Sequence, residues 1–122
     1  MLELTINDIV YSFNFGMGFM REINKKESIP VDGFQTKKNI GLQYFVAGIL
    51  DGDIEALVEV LDTANKGQTP RVTKKGIDAY IDDENTDIDK LFTDVIDFLK
   101  HSNATKKATT ALVEALEVAK QN

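Results

Sequence analysis

Leu2, Leu4 and Ile6 alternate with Glu3 and Thr5, and Ile9, Tyr11, Phe13 and Phe15 alternate with Val10, Ser12 and Asn14. Period-2 alternation marks strands with one buried face. Asn7-Asp8 lies between the two runs, and these residue types tolerate the left-handed backbone that a two-residue hairpin turn demands. That turn sets the register: Ile6 opposite Ile9, Leu4 opposite Tyr11 and Leu2 opposite Phe13, with all six side chains on one face. An isolated hairpin is marginal in water, so this face must lie on the rest of the chain, whose pattern is helical.

Gly16-Met17-Gly18 breaks the second strand, and Phe19, Met20 and Ile23 then recur at helical spacing. They predict a short helix over residues 17–26, with Lys25 and Lys26 near its negative C-terminal end. Residues 28–36 carry Pro30, Asp32 and Gly33 and read as a loop. Residues 37–50 are apolar nearly all round, which predicts a helix buried in the middle of the domain. Tyr44-Phe45-Val46 is β-prone, but the length of the run favours helix. After Asp51-Gly52-Asp53, Ile54, Leu57, Val58 and Leu61 form an amphipathic stripe, with Asp51 or Asp53 as N-cap and an end at Asn65-Lys66-Gly67. Thr73 caps a short helix carrying Ile77, Tyr80 and Ile81. Thr86-x-x-Asp89 resembles a capping box ahead of the stripe Ile88, Leu91, Phe92, Val95, Phe98 and Leu99.

His101-Ser102-Asn103 interrupts that stripe. Beyond it Ala104, Ala108, Ala111, Leu112, Ala115, Leu116 and Ala119 line one face. Alanine favours helix, but a stripe of methyl groups buries little area. The expected fold is therefore α+β: an N-terminal two-stranded antiparallel hairpin packed on a small bundle of four or five helices. Residues 1–103 form a single compact domain, and residues 104–122 a helical or mobile segment that settles on a partner. Ala108, Leu112, Ala115 and Leu116 are its candidate partner-binding residues. The alternative is an ordinary terminal helix packed on its own domain.

Composition narrows the classes. With 122 residues, 43% hydrophobic, the chain has enough apolar sequence for one core. It has no Cys, hence no disulfide, no Cys nucleophile and no thiolate metal site. No apolar run approaches the ~20 residues that cross a bilayer, and Met1-Leu2-Glu3-Leu4 carries no basic n-region. A soluble intracellular protein without a membrane partner is expected. The net charge of −6, from 14 Lys+Arg against 20 Asp+Glu, opposes nucleic-acid binding, and the scattered Lys pairs lack interleaved aromatics. The stretch from Asp78 to Asp97 is strongly acidic. It reads as a solvated face or, alternatively, as a partner-docking surface.

Candidate chemistry is sparse. His101 is the single His and has no nucleophile motif nearby. Gly16-Met17-Gly18 follows a strand, yet Arg21 replaces the third Gly of a dinucleotide fingerprint and no parallel βαβ unit precedes it. Asp83-x-Asn85-x-Asp87 matches the first ligand positions of a calcium loop. Ile88 stands where the turn needs Gly, however, and Asp94 where a bidentate Glu belongs. No catalytic residue, cofactor or metal ligand is assigned.

The segments Leu2 to Asn7, Tyr11 to Lys26, Gly52 to Leu57, Val72 to Ile81 and Asp87 to Phe92, in that order, resemble the tail assembly chaperones of long, non-contractile-tailed phages and prophages of Gram-positive bacteria. The resemblance runs to about Lys107. It implies a non-enzymatic assembly factor of the host bacterial cytoplasm, absent from the mature virion. Such a factor binds and solubilises the tape measure protein and recruits tail tube subunits. Self-association is expected, because coating a long client needs many copies and the hairpin leaves strand edges unpaired. Two other readings stay open beside it: a small acidic helical adaptor linked to calcium, and a DNA-associated prophage protein, which the charge opposes.

Overall fold

A computed structural model describes residues 1–33 and 36–121. Strands β1 (Leu2–Ile6) and β2 (Ile9–Phe13) form the hairpin. Asn7 and Asp8 take φ of 53° and 65°, the left-handed pair the turn requires. The register is Leu2↔Phe13, Leu4↔Tyr11 and Ile6↔Ile9, as the alternation predicts. Leu2, Leu4, Ile6 and Phe13 are buried, whereas Ile9, at the turn end, is 45% exposed.

After α1 (Met17–Asn24) the chain departs from expectation. Residues Ser28–Pro30 (β3) and Lys37–Asn39 (β4) pair as a second antiparallel hairpin, where the sequence pattern predicts a loop and the start of a helix. All six residues are exposed, so no apolar alternation records the pairing. Phe34 and Gln35, within the expected loop, lie outside the described residues. Helix α2 (Gly41–Leu50) therefore starts four residues later than predicted.

Nor is α2 the central helix. It buries Leu42, Phe45, Val46 and Ile49, but Tyr44 is 55% exposed. The centre belongs to α3 (Ile54–Asn65), which packs against β2, α1, α2 and the following helix α4 (Lys74–Asp82). Every residue of α3 from Val60 to Asn65 is buried, polar ones included. Ile54, assigned to the core stripe, lies in the first turn and is 39% exposed.

Close approach fixes the crossings. A Cβ on Gly41 would lie 1.9 Å from the Ile23 carbonyl oxygen, so only glycine lets α2 begin against the end of α1. There the Asn24 side chain accepts from the Leu42 N–H at 3.2 Å, capping α2 from another element. Asp53, not Asp51, caps α3, accepting from the Glu55 N–H at 2.9 Å, and the Thr73 hydroxyl caps α4 by accepting from the Gly76 N–H at 3.0 Å.

Helix α5 (Ile88–His101) is capped by Asp87, which accepts from the Lys90 N–H at 3.0 Å. The expected Thr86 cap is thus displaced by one residue: its hydroxyl instead donates to the Tyr80 carbonyl at 2.6 Å. Last comes α6 (Lys106–Gln121), lying across α2 and α5. The described residues hold six helices, one more than the upper figure expected, because the C-terminal segment is itself a helix.

A buried polar joint ties these parts together. Asn65 is fully buried; its amide nitrogen donates to the Ser12 carbonyl at 2.9 Å and its oxygen accepts from the Val72 N–H at 2.7 Å and from Arg71 at 3.0 Å. Arg71 in turn pairs with Asp62 at 2.8 Å. The end of α3, the hairpin and the connector to α4 are thereby locked at one point.

Candidate partner-binding surface

The turn leading into α6 is fastened by hydroxyls. Ser102 donates to the Phe15 carbonyl at 2.6 Å, and Thr105 to the Leu99 carbonyl at 2.7 Å. Thr109 is fully buried and donates to the Thr105 carbonyl at 2.9 Å. Ala108 and Leu112 are half-buried against the core. Ala115 is exposed, and Leu116 is 43% exposed. The four candidate residues therefore divide: two hold the helix down and two face outward.

Leu112, Ala115 and Leu116 form one wall of a groove of about 380 Å³ whose other wall is Ala47 and Leu50 of α2. Leu116 also borders an adjoining cleft of about 520 Å³, lined by Tyr44, Phe45, Ala47, Gly48 and Ala56. Its floor is tight because Gly48 sits over α3; a Cβ there would come within 2.7 Å of the Ala56 Cβ. The Tyr44 and Phe45 rings meet edge to face at 5.1 Å. The result is an apolar trough between α2 and α6. The α2 wall comes from a run that is apolar nearly all round, which predicts core and not a surface. Tyr44 was the available signal, since a phenol sits most easily where its hydroxyl reaches water.

The rim is acidic: Asp51, Asp53, Glu55 and Glu59 border the cleft, with Lys120 at the far end of the groove. Glu59 is partly neutralised by Lys26 at 3.4 Å and by a hydrogen bond from Lys74. Partial burial pushes its carboxyl up, but the Lys74 hydrogen bond and the Lys26 charge outweigh this and hold it below the usual range. Lys74 is raised, chiefly by the same hydrogen bond.

The residues singled out for calcium have other work. Asp83 accepts from the Asn85 N–H at 2.9 Å, and Asp87 caps α5. Among the described residues no three His, Cys, Asp or Glu side chains come together as a metal site. His101 uses Nδ1 in a 2.6 Å hydrogen bond with the Asp97 carbonyl. Among the described residues no helix is long and apolar enough to cross a membrane.

An α+β domain with an apolar trough on its surface offers a place for a helical partner to dock. The family model described as phage tail assembly chaperone protein, TAC, matches residues 3–114. The chain belongs to the phage tail assembly chaperone family. No curated protein and no solved structure matches it.

Proposed function

We propose that this chain binds and solubilises the tape measure protein and brings tail tube subunits to it during virion assembly. It works in the host bacterial cytoplasm, as several associated copies, and is left out of the finished virion. The family match over residues 3–114 is the observation that carries this reading. The α2–α6 trough supports it physically. An amphipathic client helix that is insoluble alone can lay its apolar face along Tyr44, Leu112 and Leu116. The outward Ala115 permits close approach of a second helix backbone, and the exposed Leu116 gives it apolar area to cover.

The test is co-expression with the tape measure protein of the same phage, followed by affinity capture through the chaperone. Stoichiometric co-purification is expected from the wild-type chain, and a clear loss from a Tyr44→Asp/Leu116→Asp variant that melts normally. Capture of tail tube subunits without the tape measure protein would point to a different client.

A further inference from the structure

The trough between α2 and α6 changes chemistry along its length. Tyr44, Ala47 and Gly48 line it from one face of α2, and Asp51, the C-cap in helical backbone, continues that face. Over these seven steps, about 10 Å of helix axis, the wall passes from an aromatic ring to a carboxylate. Beside that end Asp53 and Glu55 open α3 and border the same cleft. The facing wall is Leu112, Ala115 and Leu116, with Lys120 as its charged residue. An apolar floor thus ends in three carboxylates against one ammonium.

Asp51 is misplaced for the stability of its own chain. The carbonyl end of a helix carries partial negative charge and favours a cation. Helix α2 has no basic residue in its last turn and closes on this carboxylate instead. Asp51 and Glu55 are exposed, and neither forms an ion pair among the described residues. The other two carboxylates of the rim are occupied: Asp53 caps α3, and Glu59 is held by Lys26 and Lys74. A local rule broken without compensation inside the chain marks a place where function, not folding, sets the residue. Two negative sources, the α2 carbonyl end and Asp51, therefore meet at one end of an apolar surface with no basic side chain of α2 to offset them.

We propose that the trough selects an amphipathic client helix whose apolar stripe is followed, on the same face, by Lys or Arg set against Asp51 and Glu55. This rests on the client reading of the trough and specifies the charge of what it takes. The stripe covers Tyr44 and Leu116, the small Ala47, Gly48 and Ala115 admit its backbone, and its cation supplies the charge that α2 lacks. The probes are three helical peptides of about 20 residues, long enough to hold some helix in water. They share one Leu/Ala face and carry Lys, Gln or Glu at the positions that follow it. Binding to the full chain is read by fluorescence anisotropy at about 50 mM and about 500 mM salt, where screening lengths differ roughly threefold. The Lys peptide should bind at least about tenfold more tightly than the Glu peptide at low salt, with the Gln peptide between them. The spread should shrink at high salt. Asp51→Lys should melt at or above the wild-type temperature, because it offsets the α2 dipole, and should reverse the order to favour the Glu peptide. Asp51→Asn/Glu55→Gln should bring the three peptides together, and Tyr44→Ser/Leu116→Ser should weaken them all. Lys and Glu peptides bound equally by wild type, or an order that Asp51→Lys leaves unchanged, overturn the charge assignment. If Tyr44→Ser/Leu116→Ser still weakens binding in that case, the client reading of the trough survives. Peptides bound regardless of Tyr44 and Leu116, or none bound at several hundred micromolar, overturn both. A clear fall in the melting temperature of Asp51→Lys would show that Asp51 serves the fold, and would also overturn the assignment. So would wild-type oligomers that Asp51→Lys disperses without peptide, since a second copy would then be the occupant.

Discussion

Replacing Asn65 by Ala removes the joint between the hairpin, α3 and the connector after it. The Val72 N–H, 2.7 Å from the Asn65 oxygen, and the Ser12 carbonyl, 2.9 Å from its nitrogen, both lose their side-chain partner. The guanidinium of Arg71 loses one acceptor but keeps Asp62 and the Val72 carbonyl. Each orphaned buried group costs about 1–3 kcal/mol, and charged donors sit at the upper end. Water can hydrate the edge of the site, since Arg71 is exposed. The net loss is therefore set at about 3–4 kcal/mol, the lower part of the summed range. For a domain of this length that lowers Tm by roughly 10–15 °C. Urea unfolding of wild type and variant gives the number directly, provided the m-value is unchanged. Asn65→Asp is the companion variant: it keeps the acceptor for Val72 and Arg71 but loses the bonds donated to the Ser12 carbonyl at 2.9 Å and the Pro70 carbonyl at 3.3 Å. A loss below about 1 kcal/mol for Asn65→Ala would refute the claim that this side chain locks the three elements, since a single net hydrogen bond is worth that much.

Gly41→Ala places a methyl against the Ile23 carbonyl and should cost about 2–4 kcal/mol, measured by thermal melting; a neutral result would mean α1 and α2 are not held in contact. Glu59→Gln should cost about 0.5–1 kcal/mol at neutral pH, since the pair is only partly exposed. The folded carboxyl lies below its usual 4.5, so this stabilisation is complete above that value. It fades as pH falls through the lower folded value, and wild type and variant should then converge. Ending the chain after Glu114 removes only exposed residues of α6 and should leave Tm nearly unchanged. Ending it after Asn103 removes buried Thr105 and Thr109 and should cost about 2–4 kcal/mol by the same melts.

The hairpin was legible in the chain because two independent codes agree there. The alternation of Leu2, Leu4 and Ile6 and the left-handed tolerance of Asn7-Asp8 select one register. Helix identities were legible for the same reason, since stripe and cap coincide at Thr73 and at Asp53. What failed to show was whatever rests on long-range partners. The β3–β4 pair is backbone hydrogen bonding between exposed residues, with no side-chain pattern to announce it. That α3 rather than α2 is central follows from elements packing on both of its faces, which makes Asp62, Thr63 and Asn65 buried despite their polarity. At the candidate surface, the outward half of α6 was readable as a thin apolar stripe. A count of methyl groups leaves out the hydroxyl of Ser102, whose acceptor on Phe15 lies 87 residues away, and the burial of Thr105 and Thr109. The α2 wall of the trough stayed hidden because a run that is apolar all round does not say which side is left uncovered.

The central claim is that this chain keeps a tape measure protein in solution through the α2–α6 trough. The most direct measurement is the soluble fraction of that protein expressed alone, with the wild-type chain, and with the Tyr44→Asp/Leu116→Asp variant. The account predicts a pellet alone, a soluble complex with wild type, and a pellet again with the variant despite normal variant folding. A tape measure protein equally soluble in all three, or rescued equally by wild type and variant, would contradict it.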